Sequence, residues 1–254
     1  MDKLSITGPK IRFTIPTGLP GPLGTINITD TLIVSWVVML IITLLCIWLT
    51  RGLKVEKISK KQAFAEMLVE MADKFVIGNM GEKFAYLVPF VAALFATSLF
   101  SNLISLFGVW SPTADLNTEA AWAIVVFIMI TGQKIKANGL GGYLKGFTEP
   151  IVIMTPFNML SELSTPISMA GRHFGNILSG VVINGLLYTA LAVLSSKLLG
   201  LLPGAVGALL SQVPIFDVGI PAILSVYFDW FTGVMQAFIF CMLTTMYIAN
   251  AAEA

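Results

Sequence analysis

Long apolar runs separated by short charged segments set the pattern of this chain. Thr31 to Thr50 is 20 uncharged residues, and Phe84 to Ala114 is 31, the second closing on the turn-forming Ser111-Pro112. A membrane-crossing helix needs ~20 mainly apolar residues, so both runs predict spans. Ala120 to Gln133 holds 14 residues, and with Leu116 to Glu119 as its first turn it reaches ~18 and predicts a third span. Leu163 to Ser196 is a 34-residue run broken only by Arg172-His173, and a last run from Ile220 to Ala252 carries Asp229 alone. A continuous helix as long as the first of these measures ~50 Å against a ~30 Å hydrocarbon core, so it has to tilt strongly or project from the bilayer. The chain is therefore expected to end in a long, strongly tilted helical hairpin over 150–252. Its arms join near Lys197 to Asp217, where Gly200, Pro203, Gly204, Gly207 and Pro214 mark the turn and Leu198 to Leu210 adds a short helical extension.

Between the first two runs the period changes. Phe64, Met67, Leu68, Met71, Phe75 and Val76 recur at helical spacing opposite Glu66, Glu70, Asp73 and Lys74, which predicts a helix lying on the membrane surface. Before residue 30, Pro9, Pro16, Pro20 and Pro22 break any helix, and the compact apolar core of a signal peptide is missing, so no cleaved leader is expected. Basic residues set the orientation. Arg51 to Lys83 contains seven Lys/Arg and Lys134 to Lys145 three, against none in Ser111 to Glu119 or Leu198 to Phe216. Basic loops stay in the cytoplasm. The expectation is an all-α integral membrane protein, one membrane domain over 1–254, with five spans and one surface helix. Residues 1–30 lie outside, the surface helix is in a cytoplasmic loop over 51–83, and the C-terminus is inside a bacterial-type plasma membrane.

Composition agrees: 56% of residues are apolar and 11% charged, with a mean hydropathy of +0.87. A soluble enzyme of this size would need a more charged surface. Fifteen Lys and Arg against fourteen Asp and Glu leave no field to attract nucleic acid. Cys46 and Cys241 lie in apolar runs without a nearby His or second Cys, so both read as small hydrophobes and no metal or cofactor site is expected.

Arg172 is the residue that needs a reason, because Arg at the centre of a bilayer costs about 2.5–3.5 kcal/mol even on lenient scales. It does not give up its proton, so it acts only as a fixed positive charge. Such a charge holds a carboxylate on a moving partner ionised and repels cations passing straight through. The acids weighed as internal partners are Glu162, Asp217 and Asp229, each far along the helices, which makes a partner on another chain more economical. At helical spacing Asn158, Thr165, Ser168, Asn176 and Ser179 fall within ~40° of the direction of Arg172, a polar stripe. Asp229, Thr232 and Gln236 make a second stripe on the final helix, with Ser225 extending it. Asn184 and Tyr188 lie on the far side of the first arm, where an aqueous pocket shared with Asp229 or a packing hydrogen bond is equally compatible. Gly171, Gly175, Gly180 and Gly185 permit close helix approach, within the chain or against a sliding partner.

The run Ser164-Thr165-Pro166-Ile167-Ser168-Met169-Ala170-Gly171-Arg172-His173-Phe174-Gly175-Asn176 resembles the region around the essential arginine of subunit a of F-type ATP synthases. Gln236-Ala237-Phe238-Ile239-Phe240 is similar to a second motif of that family, and Pro112-Thr113-Ala114-Asp115-Leu116-Asn117 to a third. The resemblance spans about Thr31 to Ala252. It implies a stator without a catalytic site, packed against a rotating ring of c subunits that each carry one carboxylate. It also implies b subunits of a peripheral stalk and, through them, a peripheral ATPase head. Ions, H⁺ or Na⁺, enter by one half-channel, ride the ring and leave by another, and the residue matching Arg172 separates the two. Asn176 and Gln236 match polar positions close to it; Glu162 and Asn158 fall toward the inner half-channel, Asp229 with Asn184 toward the outer. Three positions depart from the family pattern: Val181 stands where Glu or His is frequent, Asn158 where Glu is, and His173 where Leu is. His173 is either structural or a pH-sensitive group beside the gate.

Two other classes compete. A secondary transporter would bind an anionic substrate at Arg172, but the sequence has no internal repeat of the kind such folds carry. A membrane hydrolase would use Ser161 or Ser164 with His173, but the chain has one His and no GxSxG or HExxH.

Overall fold

The computed structural model describes residues 10–18, 24–55, 58–200 and 226–253. A two-stranded antiparallel ribbon comes first, β1 (Ile11–Pro16) paired with β2 (Thr25–Thr29). The chain then enters α1 (Asp30–Thr50), whose ends coincide with the charges that bound its apolar run. Arg12 of the ribbon pairs with Asp30, an acid in the first turn, where it complements the helix dipole.

The surface-helix pattern forms α2 (Lys60–Met80), with Ser59 capping the Gln62 amide and Gly81, at φ 85°, ending it. Gln62, Val76 and Met80 are buried against the rest of the chain, while Phe64, Met67, Leu68 and Met71 form an apolar face that nothing else in the described chain covers. The 31-residue run is not one helix. It splits into a 3-10 turn at Glu82–Leu87, α3 (Val88–Leu103) and a second turn at Ile104–Phe107. A proline in the first turn opens α3, where its missing N–H costs nothing, and Gly108 at φ 72° turns the chain after it. A further 3-10 turn, Pro112–Ala114, leads to Asp115, whose carboxylate caps α4 (Leu116–Gly146) at the Asn117 amide.

Helix α4 overruns its apolar stretch. Lys134 and Lys136, expected in a loop, lie on the helix, because lysine ends hydrophobicity without ending helix propensity. The break comes at Gly139, at φ 71°. After a turn at Val152–Met154, α5 (Thr155–Gly200) runs for 46 residues without interruption at Pro166, which makes it ~70 Å long. The expected inter-arm turn near 197–217, with most of its helical extension, falls on residues outside those described, as does the start of the second arm. That arm resumes as a π-helical turn, Val226–Thr232, continuing into α6 (Gly233–Ala251).

Five helical segments among the described residues are long and apolar enough to cross a membrane: Asp30–Thr50, Glu82–Phe107, Leu116–Gly146, Val152–Leu198 and Trp230–Ala251. Their shared core is narrow. Val76, Met80, Phe84, Leu87, Val88 and Val91 meet Ala123, Val126 and Ile130 of α4, Met169 and Ala170 of α5, and Phe240, Cys241 and Ile248 of α6. Elsewhere large apolar side chains face outward, as with Leu160, Leu163 and Ile167 of α5. In water such a surface would aggregate; in lipid it is the solvated face.

Candidate ion-translocation site

A short stretch of α5, at Met169, Ala170 and His173, sinks into the core, and Arg172 stands on its rim. Arg172 is exposed and has no ion-pair or hydrogen-bond partner among the described residues. One turn on, Asn176 Nδ2 donates to Gln236 Oε1 at 2.6 Å. This bond carries the Arg172 stripe across to α6, where Gln236 is 2% exposed. Gln236 Nε2 is buried with no partner among the described residues, a donor in reserve at the contact of the two arms.

The other stripe positions divide. Ser168 is exposed and Ser179 donates to its own helix, Oγ to the Gly175 carbonyl at 2.6 Å. Asn158 is engaged elsewhere: its Nδ2 donates to the carbonyls of Phe147 and Glu149, 2.9 Å each, closing the loop before α5. Asn184 is buried, with Oδ1 unpartnered among the described residues. Asp229 lies in the π-helical turn, and its side chain is outside those described.

Toward the basic end of α4, Lys134 Nζ pairs with Glu162 Oε2 at 2.6 Å. Both line a cavity of about 200 Å³ with Thr165, Tyr247 and Asn250. Phe127, Ile130 and Ala251 complete its wall, and Thr165, which belongs to the Arg172 stripe, brings the recess to within two turns of the arginine. Glu162 Oε1 is buried without a partner among the described residues. A carboxylate oxygen beside a cavity of this size, with a hydroxyl and an amide nearby, suits water.

His173 turns the opposite way. It is fully buried, its Nδ1 lies 2.9 Å from Glu119 Oε2 and its Nε2 3.4 Å from Ser98 Oγ. Trp122 and Phe240 wall the ring at 6.2 and 5.3 Å. Glu119 was not weighed among the acids near Arg172, yet it is the one acid buried against the neighbouring residue. The signal was in the sequence: an acid immediately before an apolar run lies inside any span that takes in its first turn.

A polar knot holds one end of the helices together. Thr31 Oγ1 donates to Asp115 Oδ2 at 2.8 Å, Thr113 Oγ1 donates to Asn102 Oδ1 at 2.6 Å, and Asn102 Nδ2 donates to the Gly233 carbonyl at 2.7 Å. These residues tie α1, α3, the start of α4 and the start of α6, and so fix the position of the arm that carries Gln236.

Comparison with known proteins gives one answer. The family model "ATP synthase A chain" matches residues 32–249. The chain is 32% identical to "ATP synthase subunit a, sodium ion specific" of Propionigenium modestum, over 97% of this chain and 86% of that one. It is 34% identical to "ATP synthase subunit a 1" of Crocosphaera subtropica, over 89% and 87%, and 35% identical to "ATP synthase subunit a 1" of Prosthecochloris aestuarii, over 91% and 92%. With the motif arginine unpaired on the rim of a narrow membrane core and matches along nearly its whole length, this chain belongs to the ATP synthase subunit a family.

Proposed function

We propose that this chain is the stator of a rotary F-type ATP synthase, with Arg172 separating two offset half-channels that serve the carboxylates of a c-ring. The observation that carries the reading is the state of Arg172: an arginine on an apolar helix, exposed, without a counter-ion among the described residues. A fixed charge left unpaired in a membrane is costly unless a carboxylate from another chain completes it. The Asn176–Gln236 bond supports the reading, because it brings the second motif to the first. The recess lined by Glu162 and Thr165 supports an inner half-channel on the side of Lys134. Asp229 and Asn184 are proposed for the outer one. Ser168 completes the stripe, while His173 and Asn158 act from beside it.

The chain is a multi-pass membrane subunit of the ion-translocating sector of the synthase. We take it as one membrane domain, with α5 and α6 as a tilted hairpin facing the ring and α2 on the inner membrane surface. The N-terminus lies outside and the C-terminus inside a bacterial plasma membrane, and b subunits link the chain to the ATPase head. The Propionigenium modestum relative is named for sodium; for this chain the ion, H⁺ or Na⁺, is chosen at the ring carboxylate.

The test compares wild type with Arg172→Ala in inverted vesicles carrying the whole complex. Loss of ATP-driven ion pumping in an assembled complex, with added ion leak after the ATPase head is stripped, is the expected result. Normal pumping by Arg172→Ala overturns the reading.

A further inference from the structure

Glu119 and His173 are both 0% exposed and meet at 2.9 Å between α4 and α5. The groups facing them are few. Ser98 reaches the imidazole from α3, Trp122 of α4 and Phe240 of α6 close the sides, and Glu119 Oε1 has no partner among the described residues. A carboxylate and an imidazole at this distance can share one added proton, and with it the pair carries no net charge. The next residue along α5 is Arg172, its Cα ~3.8 Å from that of His173. Charges out of water are screened weakly, so a carboxylate packed against the residue next to the arginine acts on it unless something neutralises it on the spot.

We propose that His173 neutralises Glu119, and thereby keeps Arg172 without a fixed counter-ion inside this chain and available to a carboxylate presented from outside it. The inference rests on the reading of Arg172 as the gate. His173 is then a positioning residue in the electrostatic sense: it touches no ion on the path, and it determines what the gate arginine is paired with. The relation between the two partners is asymmetric. Removing the imidazole leaves a competing carboxylate beside the gate. Removing the carboxylate leaves a neutral imidazole and an unchanged gate.

That asymmetry separates the proposal from a purely structural ion pair, for which either loss does similar damage, and from a proton-relay station, which needs both groups. The experiment measures ATP-driven pumping in inverted vesicles with the intact complex, and assembly separately, as the ring and head recovered per copy of this chain. Glu119→Gln is expected to pump within about twofold of wild type, and His173→Gln to lose about tenfold or more while assembled. The double variant, Glu119→Gln with His173→Gln, is expected to return to within about twofold.

Equal loss from both single variants overturns the proposal, as does a double variant that assembles and stays inactive. Should His173→Gln fail to assemble, the double variant decides alone, since it restores net charge at the site. Arg172→Ala serves as the control that keeps the two readings apart. If it pumps normally the gate reading falls. If it is silent while His173→Gln pumps like wild type, only the present inference falls.

Discussion

Asn176 and Gln236 join α5 to α6 through one amide–amide hydrogen bond of 2.6 Å, with the Gln236 side chain in the core and Asn176 on the exposed rim beside Arg172. The bond fixes the α5–α6 spacing one turn from Arg172. Replacing Gln236 by Leu leaves the Asn176 amide without its acceptor at a site closed to water on one side, a cost of about 1–3 kcal/mol. The expected outcome is reduced ATP-driven pumping in an assembled complex. Gln236→Glu keeps an acceptor but adds a buried charge near Arg172, and is expected to pump worse than Gln236→Leu. Pumping rates of the two variants, normalised to recovered complex, check the order.

Lys134 and Glu162 pair at 2.6 Å with side chains 27% and 15% exposed, enough burial for the pair to matter and enough access for water to reach it. Lys134→Met strands the Glu162 carboxylate beside the cavity. In a double-mutant cycle with Glu162→Gln, the thermal midpoint of the purified complex is expected to reveal a coupling of about 0.5–3 kcal/mol. A cycle that adds without coupling means that the pair is as weak as an exposed one. If Glu162 serves an ion path through the recess it lines, Glu162→Gln alone slows pumping with normal assembly.

What the sequence made legible follows from which forces are local. The α1 boundaries coincide with Asp30 and Arg51 because a charge next to a 20-residue apolar run ends a span by itself. The continuity of α5 was legible because Pro166, the one helix breaker in the 34-residue run, is absorbed, but its length was not: the helix begins at Thr155, ahead of that run, and reaches Gly200. The overrun of α4 was not, since a hydropathy count ends at Lys134 whereas the helix ends only where Gly139 takes a positive φ. Pairings between helices were the least visible. The wheel that put Asn158 on the Arg172 stripe is indifferent to the Phe147 and Glu149 carbonyls that capture its amide. It is equally indifferent to Glu119, whose partner sits on another helix. Arg172 itself was legible because an unpaired cation in an apolar run is anomalous in any fold.

Gly233 opens α6 directly against Asn102. A Cβ built there would stand 2.9 Å from Asn102 Cβ, and Asn102 is itself held by Thr113 and by the Gly233 carbonyl. The neighbour cannot rotate away, so backbone must shift. Gly233→Ala is expected to cost about 1–3 kcal/mol by overpacking and to lower recovery of complex. Gly78 of α2 offers the contrast, because nothing lies within 4 Å of its added Cβ. Gly78→Ala, in the last turn of α2, is expected to be neutral or stabilising by up to about 0.5–1 kcal/mol. Thermal midpoints of the two variants measured side by side check the difference in sign.

Helix α2 presents three faces. Gln62, Val76 and Met80 meet the rest of the chain, with Glu66 accepting from Gln62 Nε2 at 2.8 Å beside them; Glu70 is exposed, and Phe64, Met67, Leu68 and Met71 are 49%, 46%, 41% and 59% exposed. Leu68 and Glu70 are ~160° apart around the helix. If the apolar face rests on lipid at the inner surface, a cysteine at 68 is shielded and one at 70 is not, although both stand clear of the chain itself. The experiment places Leu68→Cys and Glu70→Cys in a chain whose Cys46 and Cys241 have been replaced, then exposes each to a charged, membrane-impermeant maleimide. In inverted vesicles, whose outer face is the cytoplasmic one, labelling of 70 at about tenfold or more the rate of 68 is the expected result. Equal rates place the whole helix in water, and labelling of 70 only in right-side-out vesicles reverses the topology read from the lysines and arginines.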